Sequence, residues 1–283
     1  MTIQIQPCTG MPIDRLAKAM NDAFSDYVVP LQLTDAQFRE ITSRRGYSEA
    51  HSFLAMDGNQ VAGFWFSSAP ETAMEYRAYC LSAGVLPEFR RRGLLRHLFE
   101  AMLEKHRHDG GAGIHLEVIS SNEVALRGYQ SFGFQIIRNL NVYKLEQLKP
   151  IETAPTNIKI REIALHRLPD DVSRFFDTHP TRQNQRSAMH ALPGTVRVFA
   201  AYYGNDLVGW QAVFEDGATP ELAVHRDWRR KGIGSALLAR ALASHPEKLM
   251  FVNVDAGCVS INEFLIARDA VRLLVQHDMF LSV

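Results

Sequence analysis

The sequence predicts an α+β protein built from two similar domains, each a mixed, mainly antiparallel, twisted sheet flanked by helices. A basic, glycine-containing turn occurs twice, as Pro-Glu-Phe-Arg-Arg-Arg-Gly-Leu-Leu at 87–95 and as Arg-Asp-Trp-Arg-Arg-Lys-Gly-Ile-Gly at 226–234. A glycine-centred apolar strand also occurs twice, at 61–65 and 207–211. Strand-like and helix-like segments alternate in the same order around both copies, which favours mixed layers of helix and sheet.

The first half begins with a strand near Ile3–Gln6 and a helix over Ile13–Phe24, whose apolar residues fall on one face. Thr34 is a typical N-cap residue, so a second helix is predicted from Asp35. The remaining elements, in order, are strands over 52–56, 60–67 and 79–86, the basic turn, a helix from Leu94, a strand over 114–119, a short helix over 123–132 and a strand over 134–145.

The second half is predicted to repeat this order from Ile158. If Ala270 corresponds to Ala125, only 279–283 remains for the last strand, which is then short or missing. Between the halves, Lys149-Pro150 and Ala154-Pro155 lie among polar residues and predict a linker. The predicted organisation is therefore a domain over 1–146, a linker over 147–157 and a domain over 158–283.

Composition indicates a soluble globular protein without a nucleic-acid or membrane partner. Of the 283 residues, 46% are apolar and 22% are charged, and Lys plus Arg equals Asp plus Glu at 31 each. A balanced charge gives no global field that would attract nucleic acid or an anionic membrane. The sequence has no apolar run long enough to span a bilayer, and its N-terminus does not resemble a secretory signal, so we expect a cytoplasmic location.

The three cysteines, Cys8, Cys80 and Cys258, are far apart in the sequence. Their number and spacing argue against a disulfide framework and against a thiolate metal site, so no metal is expected. Cys258 as a nucleophile would need a histidine to activate it, and none is nearby in the sequence. We expect it to be a small core thiol.

Each basic turn has the features of an anion site. An apolar strand leads into the turn and a helix begins at its glycine, so several backbone N–H groups and the positive end of the helix dipole point to one place. The turn lacks the third glycine of the dinucleotide fingerprint and the Gly-Lys-Ser/Thr of a Walker loop. A single copy would also suit a solvated loop, but two copies in the same context favour a polyphosphate site.

A strand, Arg-x-x-Gly-x-Gly, a helix, another strand and then Asn with a Tyr-containing helix resemble the GNAT family of acyl-CoA-dependent N-acyltransferases. The resemblance occurs twice and covers nearly the whole chain. The chain is similar to the tandem subgroup that includes mycothiol synthase. The motif is complete in the second copy, Arg229 to Gly234, whereas Leu95 departs from the small final residue in the first.

The resemblance implies a splay between two parallel central strands that holds acetyl-CoA as co-substrate, with its pyrophosphate on the turn. Gly234 would allow a closer approach than Leu95, so the second turn is expected to bind more tightly. The implied binding residues are Val85, Leu86, Arg90, Arg91, Arg92, Gly93, Leu94, Leu95 and Asn122 in the first copy, and Val224, Arg229, Arg230, Lys231, Gly232, Ile233 and Gly234 in the second.

The resemblance also implies that a Tyr protonates the leaving thiolate, and the first copy has the family pattern as Asn122, Ala125, Tyr129, Gly133 and Phe134. A Tyr hydroxyl keeps its proton at neutral pH, as this role requires. Aligned on Ala270, the second copy has Leu274 at the Tyr position and Ala267 at the Asn position. For the base, the candidates are Glu117, which shares a strand face with His115 and Ile119, and Glu221, on the strand before the second turn; a solvent chain is the alternative.

We therefore expect an N-acetyltransferase with its chemistry in the N-terminal domain, acting on a small-molecule amine or a peptide amine as a monomer or homodimer. One alternative places the active site in the C-terminal domain, with Glu221 as base. Another is a non-catalytic acyl-CoA-binding or sensing protein. The segment 22–33 is expected to form the acceptor wall.

Overall fold

The computed structural model describes residues 3–26, 32–148, 157–192, 194–245 and 247–283. Most of the predicted linker, and the part of the predicted acceptor wall that contains Tyr27, Val28 and Val29, lie outside these residues. The described part of the chain contains no helix that is both long and apolar enough to cross a membrane.

The elements follow the predicted order closely in the first half. The helices are α1 Ile13–Ala23, α2 Asp35–Arg44, α3 Leu94–His108, α4 Glu123–Ser131, α5 Arg186–His190, α6 Ile233–Leu242 and α7 Val259–Ile266. The strands are β1 Gln4–Pro7, β2 Phe53–Asp57, β3 Gln60–Ser67, β4 Arg77–Val85, β5 Gly113–Ile119, β6 Gln135–Leu145, β7 Ile158–Ile163, β8 Val196–Tyr203, β9 Asp206–Phe214, β10 Glu221–Val224, β11 Leu249–Asp255 and β12 Val271–Ser282.

The chain divides into two compact units that differ from its two sequence halves. The first unit contains 1–118, 123–137 and 278–283, and the second contains 119–122 and 138–277. Most of β6 thus belongs to the second unit, and the end of β12 belongs to the first. Each unit therefore includes strand residues from the other half of the sequence.

In the first unit, β1, β2, β3 and β4 form an antiparallel sheet and β5 continues it in parallel. The end of β12 lies beside β5, where the Phe280 ring occupies the space next to Gly113. Successive residues of β3 face opposite layers of helix: Phe66 meets Phe38 of α2, whereas Trp65 meets Phe99 of α3. The sheet is thus covered on both faces.

The helices of the first unit form where the sequence predicts. The Thr34 side chain accepts from the Gln37 N–H, and the Gln37 Oε1 accepts from the Thr34 N–H, which completes a capping box at the start of α2. Helix α1 buries one face, made of Leu16, Ala17, Ala19, Met20 and Ala23. Asp26 lies just after α1, and Arg45 lies at the C-terminal end of α2.

In the second unit, β7, β8, β9 and β10 form an antiparallel sheet, and β11 pairs antiparallel with β6. Two expectations fail here. The last strand, β12, has twelve residues, so it is neither short nor missing. The two helices expected after β7 reduce to the five-residue α5 in the described part of this segment, where Pro169 and Pro180 interrupt any longer helix.

A gap opens between parallel strands in each unit. Pairing of β4 with β5 is limited to three residues and ends at Tyr79 and His115. Opposite the step from Phe66 to Ser67, β4 has one extra residue, Leu81, which forms a bulge at the start of the gap. In the second unit, the corresponding link is a single parallel bridge between Ala218 and Met250, ahead of β10.

Candidate active site

The two basic turns have the same backbone geometry. Arg91 and Gly93 have φ angles of 64° and 74°, and Arg230 and Gly232 have φ angles of 62° and 79°. Gly93 and Gly232 are the N-cap residues of α3 and α6, and neither helix has a side-chain cap. No side chain of the described residues therefore occupies the N–H groups of the first helical turn, which suits the predicted anion site.

Arg90 braces the first turn. It donates from Nε to the Val85 carbonyl at 3.2 Å and from Nη2 to the Ala23 carbonyl at 3.0 Å. Its Nη1 pairs with Asp26 at 2.6 Å, and this bond holds the pKa of the Asp26 carboxyl below its usual range. The guanidinium that was expected on the coenzyme is thus taken up by acceptors of the protein.

Arg229 does the same in the second turn. It donates to the Val224 carbonyl at 3.1 Å and to the Phe175 carbonyl at 2.9 Å, and pairs with Asp177 at 2.7 Å. Arg92 and Lys231 also correspond: each folds back onto a carbonyl and an aromatic ring, Phe89 and Trp228 respectively. The side chains at the first and third positions of each Arg/Lys run therefore shape the turn.

The other expected binding residues divide by exposure. Arg91 and Arg230 are exposed. Leu86, Leu94 and Ile233 are buried in the core, so only their main-chain groups can reach a ligand. Val85 and Val224 pair with the strand glycines Gly63 and Gly209, and Asn122 directly precedes α4.

Gly234 does not leave open space. A Cβ built on it would lie 3.0 Å from the Phe264 ring of α7. In the first unit the sizes are reversed, because Leu95 follows the turn and α4 has Gly128 at the position equivalent to Phe264. The absence of a Cβ at Gly234 thus makes room for the Phe264 ring, and the closer approach of a ligand to the second turn stays a prediction.

Glu117 lies on the face of β5 that the sequence predicts. Ile114, Leu116 and Val118 are buried, whereas His115, Glu117 and Ile119 are half-buried on the opposite face. The Tyr79 hydroxyl donates to Glu117 Oε2 across the start of the gap. Burial of Tyr79 and the neighbouring Glu117 charge raise the pKa of this phenol, so it remains a proton donor to the carboxylate. Sequence reasoning did not single out Tyr79, because only the parallel pairing brings it beside β5.

Tyr129 lies on the other face of the sheet. Its ring makes edge contacts with Trp65 and Phe134, with centroids 6.1 Å and 5.8 Å apart, on the side of α3. Ser67 also meets α3, through His106, and Cys80 is paired with Ser67, so Tyr79 points away from α3. Tyr129 and the Tyr79–Glu117 pair therefore occupy opposite faces around the gap.

The second unit has Leu265 at the position of Tyr129, and this corrects the alignment that placed Leu274 there. Phe132 and Phe134 N–H groups bond to the Tyr129 carbonyl, and Arg268 and Ala270 N–H groups bond in the same way to the Leu265 carbonyl. By the same pattern, Cys258 takes the place of Asn122, and Ala267 does not. Leu265 is fully buried and has no proton to donate.

Glu221 is buried at 4% exposure and holds two donors. Its Oε1 accepts from Arg186 Nε at 2.7 Å and its Oε2 accepts from Trp210 Nε1 at 2.6 Å. Burial raises the pKa of this carboxyl, while the bonds to Arg186 and Trp210 oppose the rise. Both oxygens are occupied, which suits a structural carboxylate inside the unit.

Asp177 joins the second turn to α7. It accepts from Arg229 and also from Ser260 Oγ at 3.0 Å, and these bonds, the one from Arg229 most of all, lower the pKa of its carboxyl. In the first unit the residue equivalent to Ser260 is Val124, which is 78% exposed and cannot donate such a bond. Among the described residues, no group of three His, Cys, Asp or Glu side chains could hold a metal ion.

Comparison with known proteins identifies both halves. Residues 14–134 match the Acetyltransferase (GNAT) family, and residues 194–273 match the Acetyltransferase (GNAT) domain. A GCN5-related N-acetyltransferase from Sphaerobacter thermophilus is 16% identical, with a TM-score of 0.74 over 99% of this chain and 95% of that chain. A tandem GNAT protein from the clavulanic acid biosynthesis pathway is 14% identical, with a TM-score of 0.69 over 99% and 98%. At such identities the likeness to solved structures shows the fold alone. Because the family models match residues in both halves, the chain belongs to the GNAT family of acetyltransferases, as two GNAT domains in tandem.

Proposed function

We propose that this protein transfers an acetyl group from acetyl-CoA to a primary amine, with the chemistry in the first unit. The observation that carries the proposal is the placement of Tyr129 and the Tyr79–Glu117 pair on opposite faces of the gap between β4 and β5. A thioester in that gap would have its carbonyl carbon open to an amine on one face and its sulfur toward a donor on the other.

The turn at 87–95 would hold the pyrophosphate of acetyl-CoA through main-chain N–H groups at the start of α3, with Arg91 at its edge. Arg90 and Asp26 keep that turn in place. Positioned N–H groups favour an anion without a large reorganisation on binding.

In this proposal the amine loses its proton to Glu117 and its nitrogen forms the new bond to the acetyl carbon. The bond between that carbon and sulfur breaks, and the sulfur takes the proton of the Tyr129 hydroxyl. The nitrogen then gives up its second proton, which returns through water to the Tyr129 oxygen and restores the hydroxyl. The products are the acetylated amine and coenzyme A. Per turnover, one proton leaves for the solvent, because a protonated amine enters and a neutral amide leaves.

The acceptor in this proposal is a small-molecule amine or a peptide amine. The second unit takes a supporting part. Leu265 in place of a Tyr and the two donors on Glu221 disfavour chemistry there. An active site in that unit and a non-catalytic acyl-CoA sensor remain as outcomes of the test.

The test is release of free thiol from acetyl-CoA with a panel of amines, in wild type, Tyr129→Phe, Glu117→Gln and Glu221→Gln. Removal of a general acid or base costs about 10²–10⁴-fold, so kcat should fall by that order in the first two variants. The KM for acetyl-CoA should barely change, since both variants keep the side-chain volume. Tyr203→Phe, in the second unit and partly exposed, is the matched control.

A silent Tyr129→Phe together with an inactive Glu221→Gln would move the active site to the second unit. A wild-type protein that binds acetyl-CoA in calorimetry and acetylates no amine of the panel would replace the enzyme with the sensor.

A further inference from the structure

His115 and Asp278 form a pair on the face of the first unit that carries Tyr79 and Glu117. His115 Nδ1 lies 3.3 Å from Asp278 Oδ1. A carboxylate has only acceptors, so the ring nitrogen supplies the proton of this bond and Nε2 is left as the acceptor nitrogen. The His115 side chain is 18% exposed, whereas the Asp278 side chain is 3% exposed. The aspartate is therefore enclosed and the imidazole reaches the surface.

The pair lies next to the proposed base. His115 is paired with Tyr79 and stands two residues before Glu117 on the same face of β5, roughly 7 Å along the strand. Side chains that start this far apart on one strand face can reach each other through a bridging water molecule. The order along this face is thus the Tyr79–Glu117 bond, then His115, then the buried Asp278.

Other charged and titratable groups face the pair from the neighbouring elements. From β4, Arg77 lies over the Phe280 ring at 5.0 Å, and that ring in turn packs on His115 with centroids 4.8 Å apart. From the end of α2, the Arg45 charge acts on Tyr79. Arg77 also pairs with the largely exposed Glu75 carboxylate at 2.8 Å. The carboxylates that contact Tyr79 and His115 directly are Glu117 and Asp278.

We propose that His115, oriented by Asp278, relays to the solvent the proton that Glu117 takes from the attacking amine. This rests on the proposed acetyl transfer in the first unit. Asp278 is a positioning residue, since it acts through His115. Because Asp278 comes from the last strand of the chain, the pairing could not be read from the sequence near β5.

The relay balances within one turnover. The amine proton passes to Glu117, from Glu117 to His115 Nε2, and from His115 to water, after which both groups return to their starting protonation. No oxidant, reductant or metal takes part. Without such an exit, Glu117 would stay protonated after each cycle until water removed the proton directly.

The competing explanation is that the pair only anchors the end of β12. An anchor would affect stability and would not respond to buffer. A relay, in contrast, can be replaced by a small diffusible base that carries the proton in place of the imidazole.

The experiment measures kcat of full-length His115→Ala, His115→Gln and Asp278→Asn in dilute buffer of low basicity and then with increasing imidazole. We expect both His115 variants to lose about tenfold or more in dilute buffer, with imidazole restoring most of the rate in a saturable way. Asp278→Asn should lose less and should also be rescued. Melting temperatures, measured in parallel, report any anchoring role.

The matched control is His108→Ala, which removes another imidazole that contacts a carboxylate, at 2.8 Å from Asp109, but at the exposed end of α3. It should keep the wild-type rate and ignore imidazole. An unchanged rate in both His115 variants, or a loss that imidazole never restores, would overturn the relay while leaving the transferase intact. An inactive wild type would instead reject the proposed function itself.

Discussion

The Phe264 ring lies 3.0 Å from the point at which a side chain on Gly234 would begin. Alanine at 234 therefore gains helix propensity but presses on the ring, and overpacking of this kind costs about 1–3 kcal/mol. We expect Gly234→Ala to lower the free energy of unfolding by roughly 1 kcal/mol, as measured by urea denaturation, and Gly234→Ala with Phe264→Leu to recover the loss.

Gly128 supplies the control for that prediction. A Cβ at Gly128 in α4 meets nothing within 4 Å. Gly128→Ala should stabilise the protein by about 0.5–1 kcal/mol, since glycine in a helix is less favourable than alanine by that amount. Equal effects of the two substitutions would mean that the ring moves aside freely.

The braces of the two turns should differ in their effect on catalysis. Asp26→Ala removes the ion pair that holds Arg90 against the first turn. The turn should then be less ordered, so the KM for acetyl-CoA should rise several-fold with little change in kcat. Asp177→Ala releases Arg229 in the second turn and should leave the KM unchanged if the first unit is catalytic. Steady-state kinetics on both variants measure this directly, and a larger effect of Asp177→Ala would point to the second unit.

Tyr79→Phe should move the acidic side of the rate profile. The phenol donates to Glu117 and thereby favours the charged carboxylate. Without that bond the carboxylate holds its proton more tightly, so kcat/KM should begin to fall at a higher pH than in wild type. The basic side of the profile should stay in place, and an unshifted acidic side would remove Glu117 as the base.

Stability should fall at acidic pH because of His106. This imidazole is fully buried against the carbonyls of Met102 and Ser68, and burial lowers its pKa below the usual value of about 6.5. Below that value the unfolded chain binds a proton that the folded chain still rejects, so the free energy of unfolding decreases as pH falls. His51, beside it with ring centroids 5.0 Å apart, has its pKa lowered by burial too and acts in the same direction.

Urea denaturation at pH 7.5 and pH 5.5 tests this. His106→Gln should be less stable than wild type at pH 7.5, and its loss between the two pH values should be smaller. The same substitution at exposed His97 should keep the wild-type loss. A wild-type stability that does not change across this interval would contradict the assignment.

Deleting residues 278–283 should unfold the first unit, although these residues end the chain. Phe280 fills the space at Gly113, where a Cβ would lie 2.3 Å from the ring, and the Val283 N–H bonds to the Ala112 carbonyl. Limited proteolysis should then cut within 1–118 first. Gly113→Ala, which presses on the same strand from the other side, should weaken the unit by about 1–3 kcal/mol without removing any residue.

Local sequence patterns predicted most of the helices and strands correctly. Thr34 caps α2, the strands that contain Gly63 and Gly209 take the same place in the two copies, and the glycines of the turns cap α3 and α6. These features depend on neighbouring residues, so the sequence displays them. The long β12 was not predicted, because the alignment on Ala270 assigned most of its residues to a helix.

The site was predicted less completely, for physical reasons. Tyr129 and Glu117 are candidates because their helix and strand carry a pattern, and their roles stay predictions. The sequence does not tell on which side of the sheet the face of each element lies. Tyr79 and Asp278 reach β5 only through strand pairing, over sequence separations of 38 and 163 residues. The sequence predicts Arg90 as a phosphate ligand, but its guanidinium bonds to the Ala23 carbonyl at the end of α1 and to Asp26, which are far from it in the sequence.

Each unit includes strand residues from the other half of the sequence, and this determines where the protein can be recombined with a relative. A chimera joined within 147–157 would carry a β6 shaped for one sheet into a unit built for another, and its β12 would fail the remaining half in the same way. Exchange at 137/138 and 277/278 cuts within β6 and β12 and keeps every residue except 119–122 with the unit to which it belongs. Laboratory shuffling of tandem proteins with this arrangement should therefore follow the borders of the units, and the proline-rich segment between the halves is the wrong place to cut.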